Sequence, residues 1–216
     1  SKIRTMEAIL RIIVIAALCI SVAAMAAIIL KNFSFGKKNL FASPKGNSRK
    51  GIVYAMGKGM MPWEKESAKK HIPTYITGFI YHFGIFAAFF YLISCIFSIH
   101  AGAGIIPALK ILILAGSVSG IGLLIKRSSL KYMHKISCPD DFLANILVDL
   151  FLVFALIDLF YSNFRSLFYL SAVVLLLYIP VGKIRHCFFF FYSRVLFGRF
   201  FGRRGVYPRV QHQYKG

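Results

Sequence analysis

The stretch Gly78–Phe90, GFIYHFGIFAAFF, decides the fold. It carries no formal charge and sits inside a longer apolar run, Ile76 to Ile99. A bilayer core about 30 Å thick is crossed by roughly 20 apolar residues in a helix. One ionisable ring, His82, interrupts it. Polar side chains in hydrocarbon are costly and usually functional, so His82 is a candidate site residue.

Four more stretches match this pattern: 12–30, 105–125, 142–162 and 166–190, the last continuing through the aromatic run HCFFFFYSR. The expectation is an all-α fold, an integral membrane bundle of five transmembrane helices forming one domain over residues 1–216. A loop over 31–72 and a tail over 191–216 complete it. The first span is followed by no small-residue cleavage site and is expected to be retained. A hydrophobic share of 58% and a mean hydropathy of +0.68 exclude an ordinary soluble chain.

The net charge of +20 is explained by placement. Ten Lys and Arg lie between Lys31 and Lys70, four between Lys126 and Lys135, and eight from Lys183 to Lys215. Only Lys2, Arg4, Arg11 and Arg165 fall on the opposite side of five spans, with Lys110 inside one. The positive-inside rule then puts the N-terminus outside and the C-terminus in the cytoplasm, in a multi-pass protein of the cell membrane. Anionic lipid accounts for the rest of the basic excess. No basic face is joined to a nucleic-acid recognition pattern, so no nucleic-acid partner is expected.

Cys19, Cys95, Cys138 and Cys187 are scattered without CxxC, haem-attachment or zinc spacing, and read as small apolar side chains. The segment 31–70 is long for a connection. It is either a binding surface or a basic loop lying on headgroups, and from Pro62 onward its charges are spaced for a short helix. In SCPDDF, Pro139, Asp140 and Asp141 suit the first turn of the fourth span. Gly116, Gly120 and Gly122 read as points of close helix approach, and the tail GRFFGRRGVYPRV as an interfacial segment.

Of six histidines, His71, His134, His212 and His100 fall in loops, the tail or a span end. His82 lies roughly 10 Å above the cytoplasmic edge at 1.5 Å per residue, and His186 just after the fifth apolar stretch. Two histidines on separate helices are a common grip for a cofactor, and bis-histidine ligation of haem iron fits them. Lys183 and Arg185 would then partner the propionates. Phe79, Phe83, Phe86, Phe188 and Phe189 would wall the macrocycle. The other reading is a pair of histidines bonded to neighbouring helices.

YHFGIF, PVGKIRH and the tail after it resemble the membrane cytochrome b subunits related to the gamma subunit of respiratory nitrate reductase. That family includes the membrane subunits of heterodisulfide reductase and of sulfite-reduction complexes. GMMPWEKESAKKHIPTYITGFIYH is most similar to the last branch. The resemblance implies His82 and His186 as ligands of an inner haem b. It places the ligands of an outer haem at Leu92 and Phe168, which cannot bind iron, so one haem is expected. It also implies a quinone substrate and a cytoplasmic iron–sulfur partner subunit, with further subunits of an oxidoreductase complex. The family's quinone-binding lysine corresponds to Lys110, which otherwise reads as a lysine reaching the outer interface. Asp149, in the cytoplasmic half, is the expected proton-handling carboxylate near quinone. Asp158 is expected at the outer edge, solvated. The functional expectation is a haem b membrane subunit carrying electrons between quinone and that partner. The alternatives are a haem-free membrane anchor and a small transporter, the latter without the repeats such folds show.

Overall fold

A computed structural model describes residues 2–35, 41–65, 70–99, 102 and 104–208, without the side chains of residues 2–4 and 162. The expectations for His100, for His212 and for charges at 66–69 lie outside the described residues. All regular elements among those described are helical. They are α1 Lys2–Ser34, α2 Ser48–Met56, α3 Ile72–Ile96, α4 Ile105–Ser129, α5 Lys131–Ile136, α6 Pro139–Phe160, α7 Arg165–Tyr178 and α8 His186–Arg203. Helices α1, α3, α4 and α6 are long and apolar enough to cross a membrane; α7 and α8 make a fifth crossing only if taken together. This is the composition of a multi-pass membrane protein.

The fifth span is not the continuous helix expected over 166–190. Helix α7 stops at Tyr178, and its 14 residues reach only about 21 Å. Pro180 brings no N–H and bars regular continuation. The Tyr178 carbonyl accepts instead from the Val181 and Gly182 amides, at 3.1 and 2.8 Å, and the Tyr178 ring covers Gly182. The segment after 190, expected as an interfacial tail, is helical as far as Arg203, the end of α8. In the loop a helix forms over Ser48–Met56 and a 3-10 turn over Pro62–Glu64, while most of the short helix expected from Pro62 onward lies outside the described residues.

The chain divides into two compact units, residues 1–27 with 73–184, and residues 28–72 with 185–216. In the first, α6 packs against α4 and α7. Gly84 of α3 meets Gly116 of α4 so closely that a Cβ on Gly84 would lie 2.6 Å from the Gly116 Cα. Lipid is as apolar as leucine, so such packing and interhelical hydrogen bonds hold membrane helices together. Gly120 serves differently, giving room to the side chains of Asp149 and Tyr81, while Gly122 faces open space. Between these helices Leu92, Ile113, Phe151, Leu152 and Phe168 are fully buried. Outward-facing residues are apolar too: Ile12, Ile111 and Val118 are each more than 60% exposed, as suits a lipid-facing surface.

SCPDDF starts α6 as the sequence indicates. Pro139 occupies the first turn, and Asp141 accepts from the Cys138 amide at 3.0 Å. Lys183 reaches the same carboxylate at 2.6 Å, with Arg127 3.3 Å away. Tyr178 bonds Asp140, tying the end of α7 to the start of α6.

The second unit is built on α2 and α8. Gly198 and Gly202 form a small-xxx-small pair facing Gly51. A Cβ on Gly202 would come 2.7 Å from the Asn47 carbonyl, and one on Gly198 2.7 Å from that of Gly51. Asn47 caps α2 by accepting from Arg49 and Lys50 amides at 2.8 and 3.1 Å. The amides of Lys45 and Gly46 cap α8 at the Arg203 carbonyl, both at 2.9 Å. Gly205, at φ +74°, then turns the chain in a conformation that L side chains rarely adopt.

Candidate functional site

His82 stands on an exposed face of α3 with Phe79, Phe83, Phe86 and Phe90, the i, i+3, i+4, i+7 and i+11 spacing of one helical stripe. Its Nδ1 lies 2.6 Å from the Gly78 carbonyl. A carbonyl only accepts, so Nδ1 carries the proton and Nε2 keeps its lone pair. Metal-bound histidines commonly have their second nitrogen fixed in this way. The Tyr81 ring stands edge-on to the imidazole, with centroids 6.2 Å apart. His82 is therefore an oriented, lone-pair-bearing nitrogen on an aromatic, unburied face.

His186 opens α8 in the second unit and is exposed, as are Cys187 and Phe188. His82 and His186 thus belong to different units, each described within its own. Lys183 is exposed, but Asp141 already neutralises it at 2.6 Å. Arg185 is exposed and makes no ion pair among the described residues. Of the two cations expected at the propionates, Arg185 is the one without a carboxylate. Among the described residues, no three His, Cys, Asp or Glu side chains gather as a metal cage would require.

The two residues expected at quinone are not brought together. Lys110 places its ammonium 4.2 Å above the Phe160 ring centre. Asp149, on α6, lies beside Gly120, which is ten residues along α4 from Lys110, some 15 Å at helical rise. It is buried. Its Oδ2 accepts from Asn145 at 2.8 Å, Asn145 also lies 3.3 Å from the Tyr81 hydroxyl, and Oδ1 has no hydrogen-bond partner among the described residues. A carboxyl group with an open acceptor inside a helix bundle suits transient hydrogen bonding to a proton donor.

Asp158 is not solvated as expected. It is 3% exposed, and Arg165 donates to its Oδ2 at 2.6 Å while Tyr91 donates to the same oxygen at 2.7 Å. The six residues between Asp158 and Arg165 cross the tight α6–α7 connection. That connection places the last turn of one helix beside the first turn of the next. Arg165 also bonds the Tyr91 hydroxyl at 3.1 Å. This network of α3, α6 and α7 was the main functional feature missed. The available signal was an acid and a base flanking a short turn, with tyrosine on the neighbouring span.

Leu92 and Phe168 are part of the same packed region, 2% and 0% exposed. Phe168 stacks on both Tyr91 and Phe151, each at 5.4 Å between ring centres. Aromatic side chains fill this place. No family model, curated protein or solved structure matches the chain, so its function is argued from its own residues.

Proposed function

We propose that this chain is a haem b-containing membrane subunit of a quinone-linked oxidoreductase complex, with one haem on His82 and His186. The observation that carries this reading is the Nδ1 bond of His82 to the Gly78 carbonyl, which leaves Nε2 to face the iron. The exposed phenylalanines around it would flank a flat apolar ring. Arg185, free of any carboxylate among the described residues, supplies a cation for a propionate. When bound, haem with two axial imidazoles supplies one-electron transfer and leaves no site on iron for substrate.

The chain's own residues then divide the work. His82 and His186 hold the iron. Gly78 fixes the tautomer of His82. Asp149, with an open oxygen beside Asn145 and Tyr81, takes up a proton when a quinol is oxidised, and Lys110 remains a second candidate contact for quinone. The filled packing around Leu92 and Phe168 supports one haem rather than two. An iron–sulfur subunit on the cytoplasmic side exchanges electrons with the haem. Its dock is the basic second unit, and the N-terminus lies outside the cell membrane. Further subunits would complete such a complex, as in the sulfite-reduction complexes that the sequence resembles.

Replacing His82 or His186 with alanine in the purified protein should each abolish a b-type absorption band and retained haem. A band that survives both changes refutes the ligand assignment. A haem-free anchor would show no band in the parent protein either.

A further inference from the structure

We propose that two adjoining cavities in the first unit bind the head group of an amine-bearing zwitterionic phospholipid, a phosphatidylethanolamine. Its phosphate would sit at Arg11 and Ser98, and its ammonium at Glu7. The proposal requires the chain to lie in a membrane and does not depend on haem.

The cavities have volumes of about 470 and 460 Å³ and share Cys95, Ser98 and Arg165. They lie where α3 and α6 end and α7 begins, away from the end that carries Lys126, Arg127 and Lys183. The first is polar and lined also by Glu7, Arg11 and Tyr169. The second adds Asp158 together with the apolar side chains of Ile99, Ile106, Leu109 and Leu159. A polar lobe beside an apolar one matches a head group followed by the start of its acyl chains.

The charges specify which head group. Arg165 is offset by Asp158 at 2.6 Å. Arg11 donates only to the Ser98 hydroxyl, at 3.1 Å, and neither Arg11 nor Glu7 has an ion pair among the described residues. Among the described residues, one open cation and one open anion therefore share a wall whose total charge is zero. A phosphate is well matched by guanidinium N–H groups. The Ser98 hydroxyl, while accepting from Arg11, still has its own proton to donate. An ethanolamine ammonium has three N–H donors for Glu7, whereas choline has none. The buried Asp158 Oδ1, with no hydrogen-bond partner among the described residues, offers a further acceptor in the second lobe. An anionic lipid would answer Arg11 and leave Glu7 repelled.

Native mass spectrometry of the full chain, exchanged into bilayer discs of equal phosphatidylethanolamine, phosphatidylcholine and phosphatidylglycerol, tests this. One phosphatidylethanolamine should remain per chain in preference to both others. Arg11→Gln should weaken retention about tenfold, the value of one charge-assisted hydrogen bond. Glu7→Gln should erase the preference over phosphatidylcholine while leaving phosphate binding. Ile106→Trp should block retention by filling the apolar lobe, with all charges intact and an unchanged unfolding midpoint as the check on folding. Phosphatidylglycerol retained as well as phosphatidylethanolamine, undiminished binding in Arg11→Gln, or no retained lipid would overturn the proposal. None of these readouts changes if the protein proves free of haem.

Discussion

Adding a single methyl group at Gly84 tests the geometry that holds His82 in place. Helix α3 contains two glycines with opposite surroundings. A Cβ at Gly78 meets nothing within 4 Å, whereas one at Gly84 would lie 2.6 Å from the Gly116 Cα and 2.9 Å from the Leu112 carbonyl. Both obstacles are backbone and cannot rotate away. Ordinary contact needs about 3.5–4 Å, so α3 and α4 must separate by about 1 Å. A gap of that size forfeits a quarter to a half of each contact's attraction along the crossing. Overpacking of this kind costs about 3 kcal/mol, while replacing a helical glycine with alanine returns about 1 kcal/mol. Gly84→Ala should therefore lose about 2 kcal/mol net, and Gly78→Ala should gain about 1 kcal/mol. With about 2–4 °C per kcal/mol for a chain of this size, thermal midpoints in one detergent should differ by about 6–12 °C. Equal midpoints would refute the close crossing of α3 and α4.

Three further outcomes are expected. Asp158→Ala strands the Arg165 charge and should cost about 3–5 kcal/mol in chemical unfolding; a double Asp158→Leu, Arg165→Leu variant should cost less than the single change. Gly51→Leu should separate α2 from α8, which limited proteolysis would detect as new cleavage between Lys45 and Lys58, while Gly57→Ala gives no such product. Lys183→Ala removes a partner of Asp141 on an exposed side chain; the absorption spectrum should be unchanged, whereas Arg185→Ala should shift the haem midpoint potential.

The apolar spans were legible because length and charge-free composition are local properties. So was the start of α6, where Pro139 and Asp141 act within one turn. The break after Tyr178 was less so. Pro180 was visible, but the aromatic run beyond it kept the segment apolar and hid the end of the helix. Pairing Gly51 with Gly198 and Gly202 joins residues about 150 positions apart in sequence, and no local pattern reports that. Asp158 was misread for the same reason: its distance from the span end suggested solvent, but Tyr91 and Arg165 close over it. At the candidate haem site, the residue type of His82 was legible, and its orientation was not. The orientation comes from the Gly78 carbonyl, four residues back on the same helix.

The reduced-minus-oxidised spectrum of purified, haem-loaded protein, combined with porphyrin quantitation, addresses the central claim most directly. A b-type band with one haem per chain, lost on replacing His82 or His186, is the expected result. Absence of the band in the loaded parent protein, or two haems per chain, would contradict the account.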